Sequence, residues 1–174
     1  MIERGKVGII GFSHSCFWVM GTLTATSSLH IKAALITDGM MADFNQYLTN
    51  GDSYARYYEK LIGTRPVGQG LRTWMERSPG FNLEHVTAAL LVVGEGPESL
   101  LSMWQPYAIL RFLGKPVELV MLNTDEHDLS NPVVRLASQG GSVDWFRFWL
   151  QGYEDPDSAK AEQYKRWREL RELQ

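Results

Sequence analysis

Apolar positions along the chain follow two rhythms. Four short runs are almost continuously apolar: "VGIIGF" (7–12), "IKAALITDG" (31–39), "VTAALLVVGEG" (86–96) and "PVELVMLN" (116–123). Runs of this length, rich in Val, Ile and Leu, predict strands covered on both faces. Between them apolar residues recur every three or four positions, which predicts helices over 15–28, 98–113 and 132–151, the last containing "VDWFRFWLQ". Strand and helix alternate with short joins. That order predicts an α/β domain built on about four mainly parallel strands flanked by helices.

Two segments depart from the alternation. Residues 40–84 form a long insertion rich in Tyr, Gly and Arg, in which "YARYYEKLIG" and "GLRTWMERSPGF" read as helices broken by Gly63, Pro66 and Pro79. The tail 155–174, "DPDSAKAEQYKRWRELRELQ", reads as a solvated, charged helix started by Asp155 and Pro156.

Composition narrows the classes. A chain of 174 residues, 44% hydrophobic and 21% charged, has the size and balance of one globular domain. Its net charge of −3 gives no electrostatic reason to expect nucleic acid or an anionic membrane as partner. The single Cys16 excludes an internal disulfide, and no Cys/His cluster has metal-ligand spacing, so neither metal nor cofactor is expected. No apolar run approaches the roughly 18 residues of a membrane span. "MIERGKVGII" lacks the basic start and apolar stretch of a signal peptide, so a cytoplasmic location is expected.

Candidate chemistry begins where the first strand ends. "GFSHS" (11–15) turns from strand directly into helix, the layout of a nucleophile elbow, in which residues two before and two after the serine must be small. Gly11 and Ser15 meet that size rule, although the usual motif has Gly at the second position. The same pattern also suits a plain strand-to-helix turn with a capping serine. If Ser13 is the nucleophile, the backbone N–H of His14 is placed as an oxyanion donor. Phe17 and Trp18, with the aromatic insertion 44–58, are candidates for the walls of a substrate pocket.

A serine nucleophile needs a base held by an acid. Of the four histidines, His14 adjoins the serine, while His30 and His85 precede strands and belong at the opposite end of the sheet. His127, in "NTDEHDLSNP", follows the C-terminal end of a strand and is the candidate base. For the acid, "VVGEGPESLL" offers Glu95 and Glu98. Glu98 is favoured, on the expectation that several residues are needed after Gly94 before a side chain can swing toward the histidine loop. Glu95 stays open as the alternative.

With serine, acid and histidine in that order, the chain resembles the catalytic domain of the prolyl oligopeptidase (S9) family of serine peptidases. "RSPGFNLEHV" looks like that family's Ser-Pro-x-Phe segment, and "LRFLGKPVELVML" like its helix and strand ahead of the histidine. More narrowly, "GIIGFSHSCF" and "NPVVRLASQGGSVDWFRFWLQGYEDPD" resemble the lasso peptide isopeptidases. The resemblance implies the C-terminal portion of an α/β-hydrolase domain over 1–174, without the family's β-propeller, its earlier strands or the Tyr that supplies a second oxyanion donor. It implies a Ser-Glu-His triad and hydrolysis of the isopeptide bond closing a lasso peptide ring. It also leaves strand 7–12 with an unpaired edge, so a chain supplying further strands is an expected partner. A catalytically inert fragment, or a broader peptidase or esterase, is the alternative.

Overall fold

The computed structural model describes residues 5–25 and 29–174. Residues 1–4, part of the N-terminal stretch read above, and 26–28, the end of the first predicted helix, lie outside the described residues. The strands β1 (Gly8–Phe12), β2 (Ala33–Thr37), β3 (Ala89–Glu95) and β4 (Val117–Leu122) make one sheet in the order β1-β2-β3-β4. Every neighbouring pair is parallel. All four C-terminal ends therefore share one edge of the sheet.

Alternation along the strands divides the core into two layers, because successive side chains in a strand point to opposite faces. Ala34, Ile36, Leu90 and Val92 face α1 (Ser15–Thr24) and the long helix α5 (Gly96–Phe112), where Cys16, Met20, Met103 and Leu110 close the layer. Ala33, Leu35, Leu91 and Val93 face α6 (Pro132–Phe146), which continues through a single π turn over Arg147–Gln151 and stops at Gly152 with φ 69°. Side chains of Trp145, Phe148 and Trp149 fill that second layer. Coverage on both faces explains why β2 and β3 are buried at every position.

The insertion holds three helices, α2 (Phe44–Thr49), α3 (Gly51–Ile62) and α4 (Gly70–Arg77), followed by 3-10 turns at Pro79–Phe81 and Leu83–His85. Asp43 starts α2, its carboxylate accepting the Gln46 N–H at 2.7 Å. Tyr58, Ile62 and Trp74 pack with Phe17 of α1 in a small core of their own, which fixes the insertion over the start of α1.

The tail differs from the solvated helix expected of it. The helix α7 (Ala161–Arg171) buries Tyr164 and Trp167 against Trp145 and Phe148. Those two aromatics, three residues apart, form a narrow stripe that its many charges hide in the sequence. The charges contribute too: Arg166 grips Glu118 of β4 through Nε and Nη2 at 3.1 and 2.9 Å, the Trp167 indole donates to the same carboxylate, and the Arg171 guanidinium lies 3.6 Å over the Phe148 ring. Among the described residues no helix is long and apolar enough to cross a membrane.

Candidate active site

Each of the four strands delivers one reactive side chain to the shared edge, the place where open parallel sheets bind ligands. Ser13 follows β1, Asp38 follows β2, Glu95 ends β3 and His127 lies on the loop after β4. Ser13 has φ 53°, a left-handed conformation uncommon for a residue with a Cβ, and Asp38 has φ 41°. Ser13 is held there by its own N–H on the Thr37 carbonyl at 3.0 Å, and by its carbonyl accepting the Cys16 and Met40 N–H groups. The turn is tight enough that a Cβ on Gly11 would come within 3.0 Å of the Cys16 Cα. A Cβ on Gly39 would meet the Cys16 sulfur at 2.1 Å, so α1 and the turn after β2 press directly on each other.

The polar atoms converge on the His127 imidazole. Its Nε2 is 2.9 Å from the Ser13 Oγ, and its Nδ1 is 2.5 Å from a carboxylate oxygen of Asp38. A Glu95 oxygen sits 3.6 Å from Nδ1, beyond hydrogen-bond reach, on a side chain only 1% exposed. That Glu95 oxygen has no hydrogen-bond partner among the described residues. Burial, reinforced by the neighbouring Asp38 carboxylate and partly opposed by His127, pushes the Glu95 carboxyl up to about 7. Asp38, Glu95 and His127 offer atoms close enough together to hold a metal ion. Both ring nitrogens are already engaged with Asp38 and Ser13, however, so the arrangement fits a hydrogen-bonded relay better than a metal centre.

Ser13, Asp38, Glu95 and His127 line a cleft of about 540 Å³, bounded on its far side by Asn50 and Tyr54 of the insertion. Glu98 lines this cleft as well, but among the described residues the carboxylates in ion-pair range of His127 are Asp38 and Glu95. The reason lies in the turn after β3. The chain reverses at Gly96, with φ 86°, directly into α5, and that places Glu98 in the helix's first turn. The several connecting residues that would have swung Glu98 toward the histidine are not there.

The remaining candidates divide. His14 stands at the N-cap of α1, where its N–H lies outside the helix's own bonding, and its imidazole Nε2 bonds the Tyr57 hydroxyl. Phe17 is buried in the insertion's core and Trp18 is 58% exposed. Both line a separate hollow with Glu76, Arg77 and His85 that includes neither Ser13 nor His127. Phe17 thus packs as core because it lies on the face of α1 that the insertion covers. Asp38 is the residue that sequence reasoning passed over. Its signal was the acid in "ITDG", directly at the C-terminal end of the strand beside the elbow strand.

Comparison with known proteins places this geometry. The chain is 31% identical, over 99% of its own length, to the lasso peptide isopeptidase AtxE2 of Asticcacaulis excentricus. The chain is a homologue of that isopeptidase. It spans 24% of AtxE2, about a quarter of the relative's length. A solved structure of a Ser-to-Ala variant of AtxE2 with Astexin3-dC4 bound superposes with a TM-score of 0.81, at 29% identity, over 99% of this chain and 26% of the other. The acylaminoacyl peptidase of Pyrococcus horikoshii shares the fold, with a TM-score of 0.69 at 21% identity over 91% of this chain and 26% of that one. The architecture is that of the α/β-hydrolase S9 peptidases. No family model matches the chain.

Proposed function

We propose that this chain carries the catalytic centre of a serine peptidase that opens an amide bond through an acyl-enzyme on Ser13, with the isopeptide bond of a lasso peptide as its substrate. The observation that carries the reading is the chain of contacts Ser13 Oγ to His127 Nε2 at 2.9 Å and His127 Nδ1 to Asp38 at 2.5 Å. His127 takes the Ser13 proton as the hydroxyl oxygen attacks the carbonyl carbon, and the His14 N–H donates a hydrogen bond to the developing oxyanion. The imidazolium then returns its proton to the departing amine, and water attacks the acyl-enzyme by the same route in reverse. In this reading Asp38 holds the imidazole tautomer, and the carboxyl of Glu95, raised toward neutrality by burial, sits behind it. Glu98 has no part in orienting the base.

The lasso substrate is proposed by homology with AtxE2, since an isopeptide carbonyl is chemically an ordinary amide. The test is a panel of lasso peptide, linear peptide and simple ester given to the wild-type and Ser13→Ala proteins. Loss of ring opening in Ser13→Ala, with lasso peptide preferred over linear peptide by the wild type, is expected. Full activity in Ser13→Ala removes the acyl-enzyme, and equal turnover of all three substrates favours a broader peptidase or esterase.

A second reading has its own observation. Among the described residues β1 pairs with β2 on one side and has no strand on the other, and Ile10 on it is 59% exposed. Turnover in this reading requires further strands docked on that edge, and the chain alone is catalytically inert.

A further inference from the structure

We propose that Phe12 is a positioning residue for the base, holding the tilt of the His127 ring, and that the Ser15 hydroxyl holds Phe12 in place. The proposal rests on the reading of Ser13 and His127 given above. The two rings lie 4.7 Å apart between centroids, with 22° between their planes, a stacked arrangement. His127 comes from a loop, its side chain is 48% exposed, and its two hydrogen bonds both lie along the edge of the ring, to Asp38 and to Ser13. Bonds at two ring nitrogens fix where the edge lies but leave the ring free to rock about the line joining them. A flat partner on one face removes that freedom, and the partner here is Phe12.

Phe12 needs an anchor of its own because it ends a strand with one open side. The Ser13 N–H points inward to Thr37, so by the alternation of a strand the N–H and C=O of Phe12 point to the open side, where the described chain has no strand to receive them. Ser15 Oγ serves both groups, donating to the Phe12 carbonyl at 2.7 Å and accepting the Phe12 N–H at 2.8 Å. This accounts for serine at the elbow position where glycine is usual: a glycine would fit the turn but leave both backbone groups bare. One hydroxyl thus links the elbow's backbone to the orientation of the catalytic ring.

The test pairs imidazole 15N spectra of His127, which report the tautomer and the hydrogen bond at each ring nitrogen, with the rate of Ser13 phosphonylation by a fluorophosphonate. Phe12→Leu is expected to mix the tautomers and to slow phosphonylation about tenfold, the scale of a small misplacement of a catalytic group. Phe12→Tyr, which keeps the flat face, is expected to restore both readouts. Ser15→Ala keeps the ring and frees the strand end, and a decrease of about threefold is expected. It also serves if Phe12→Leu fails to fold. Wild-type spectra and rate in Phe12→Leu, or in Ser15→Ala when Leu does not fold, overturn the proposal. If the wild-type protein is not phosphonylated at all, the nucleophile reading fails, while the spectra still decide whether Phe12 orients the ring.

Discussion

At the scale of residues, the question the site poses is which carboxylate serves His127, and the three acids make different predictions. Asp38 contacts Nδ1 directly, Glu95 stands 3.6 Å away and Glu98 is out of range. Asp38→Asn is expected to slow phosphonylation of Ser13 by roughly 10²–10⁴, as loss of a triad acid does. Glu95→Gln is expected to cost less, about tenfold or under, and Glu98→Gln about twofold or less. Rates measured on the three variants check the order, and a dominant effect of Glu98→Gln would contradict it. A second buried acid allows a pH test. Burial pushes the Asp43 carboxyl from 3.8 to about 7, and one of its oxygens has no partner among the described residues. The folded state therefore favours the neutral form, and this contribution to stability, fully present below pH 3.8, is lost as pH rises through about 7. Asp43→Asn is expected to raise Tm at pH 8 by about 2–4 °C for each kcal/mol of charge burial relieved, and to change it little at pH 5, by thermal unfolding at the two pH values. The elbow motif pointed to Ser13 and strand-end position to His127, and the structure brings the two side chains to 2.9 Å. Asp38 was not singled out, because the chain order of serine, acid and histidine points to the acid after the strand preceding the histidine. In the sheet, β2 lies beside the elbow strand, so the residue that follows it, Asp38, reaches the same ring.

At the scale of elements, periodicity recovered the four strands and the helices 98–113 and 132–151, since long runs covered on both faces or on one stripe leave a strong pattern. It missed α2, a six-residue helix whose start depends on the Asp43 cap, and it found the tail helix but not its buried face. Charge dominates the tail, and burial of Tyr164 and Trp167 becomes visible only once α6 and its π turn present Trp145 and Phe148 to receive them. Trp167→Ala removes a fully enclosed indole and its bond to Glu118, and is expected to destabilise the fold by about 3–5 kcal/mol in denaturant titration. A cost near zero would mean that the tail is solvated after all, as its composition suggests. The elbow shows the reverse case, in which a short motif predicts geometry well. A small residue at 11 is required because a Cβ there would come within about 3 Å of Cys16 and Val19 of α1, and Ser13 turns the chain with a positive φ of 53°.

At the scale of the whole molecule, β1 ends the sheet among the described residues, with no strand on its outer side. Ile10 and Phe12 are exposed along β1, as are Val133, Leu136 and Val143 on α6. An open strand edge with apolar side chains is a template for pairing. The purified chain is expected to self-associate in sedimentation velocity, and Ile10→Lys, which puts a charge on that edge, to shift it toward the monomer. A wild-type chain that stays monomeric at high concentration would show the edge to be protected. The chain spans about a quarter of the length of AtxE2, and the central claim proposed for it is that the residues at its four strand ends, Ser13, Asp38, Glu95 and His127, carry the chemistry. That claim is tested most directly by incubating the chain with a fluorophosphonate and locating the adduct by peptide mass spectrometry. The account predicts a single adduct on Ser13, abolished in Ser13→Ala and strongly slowed in His127→Ala. Folded wild-type protein that takes no label, or that is labelled equally fast without His127, would contradict it.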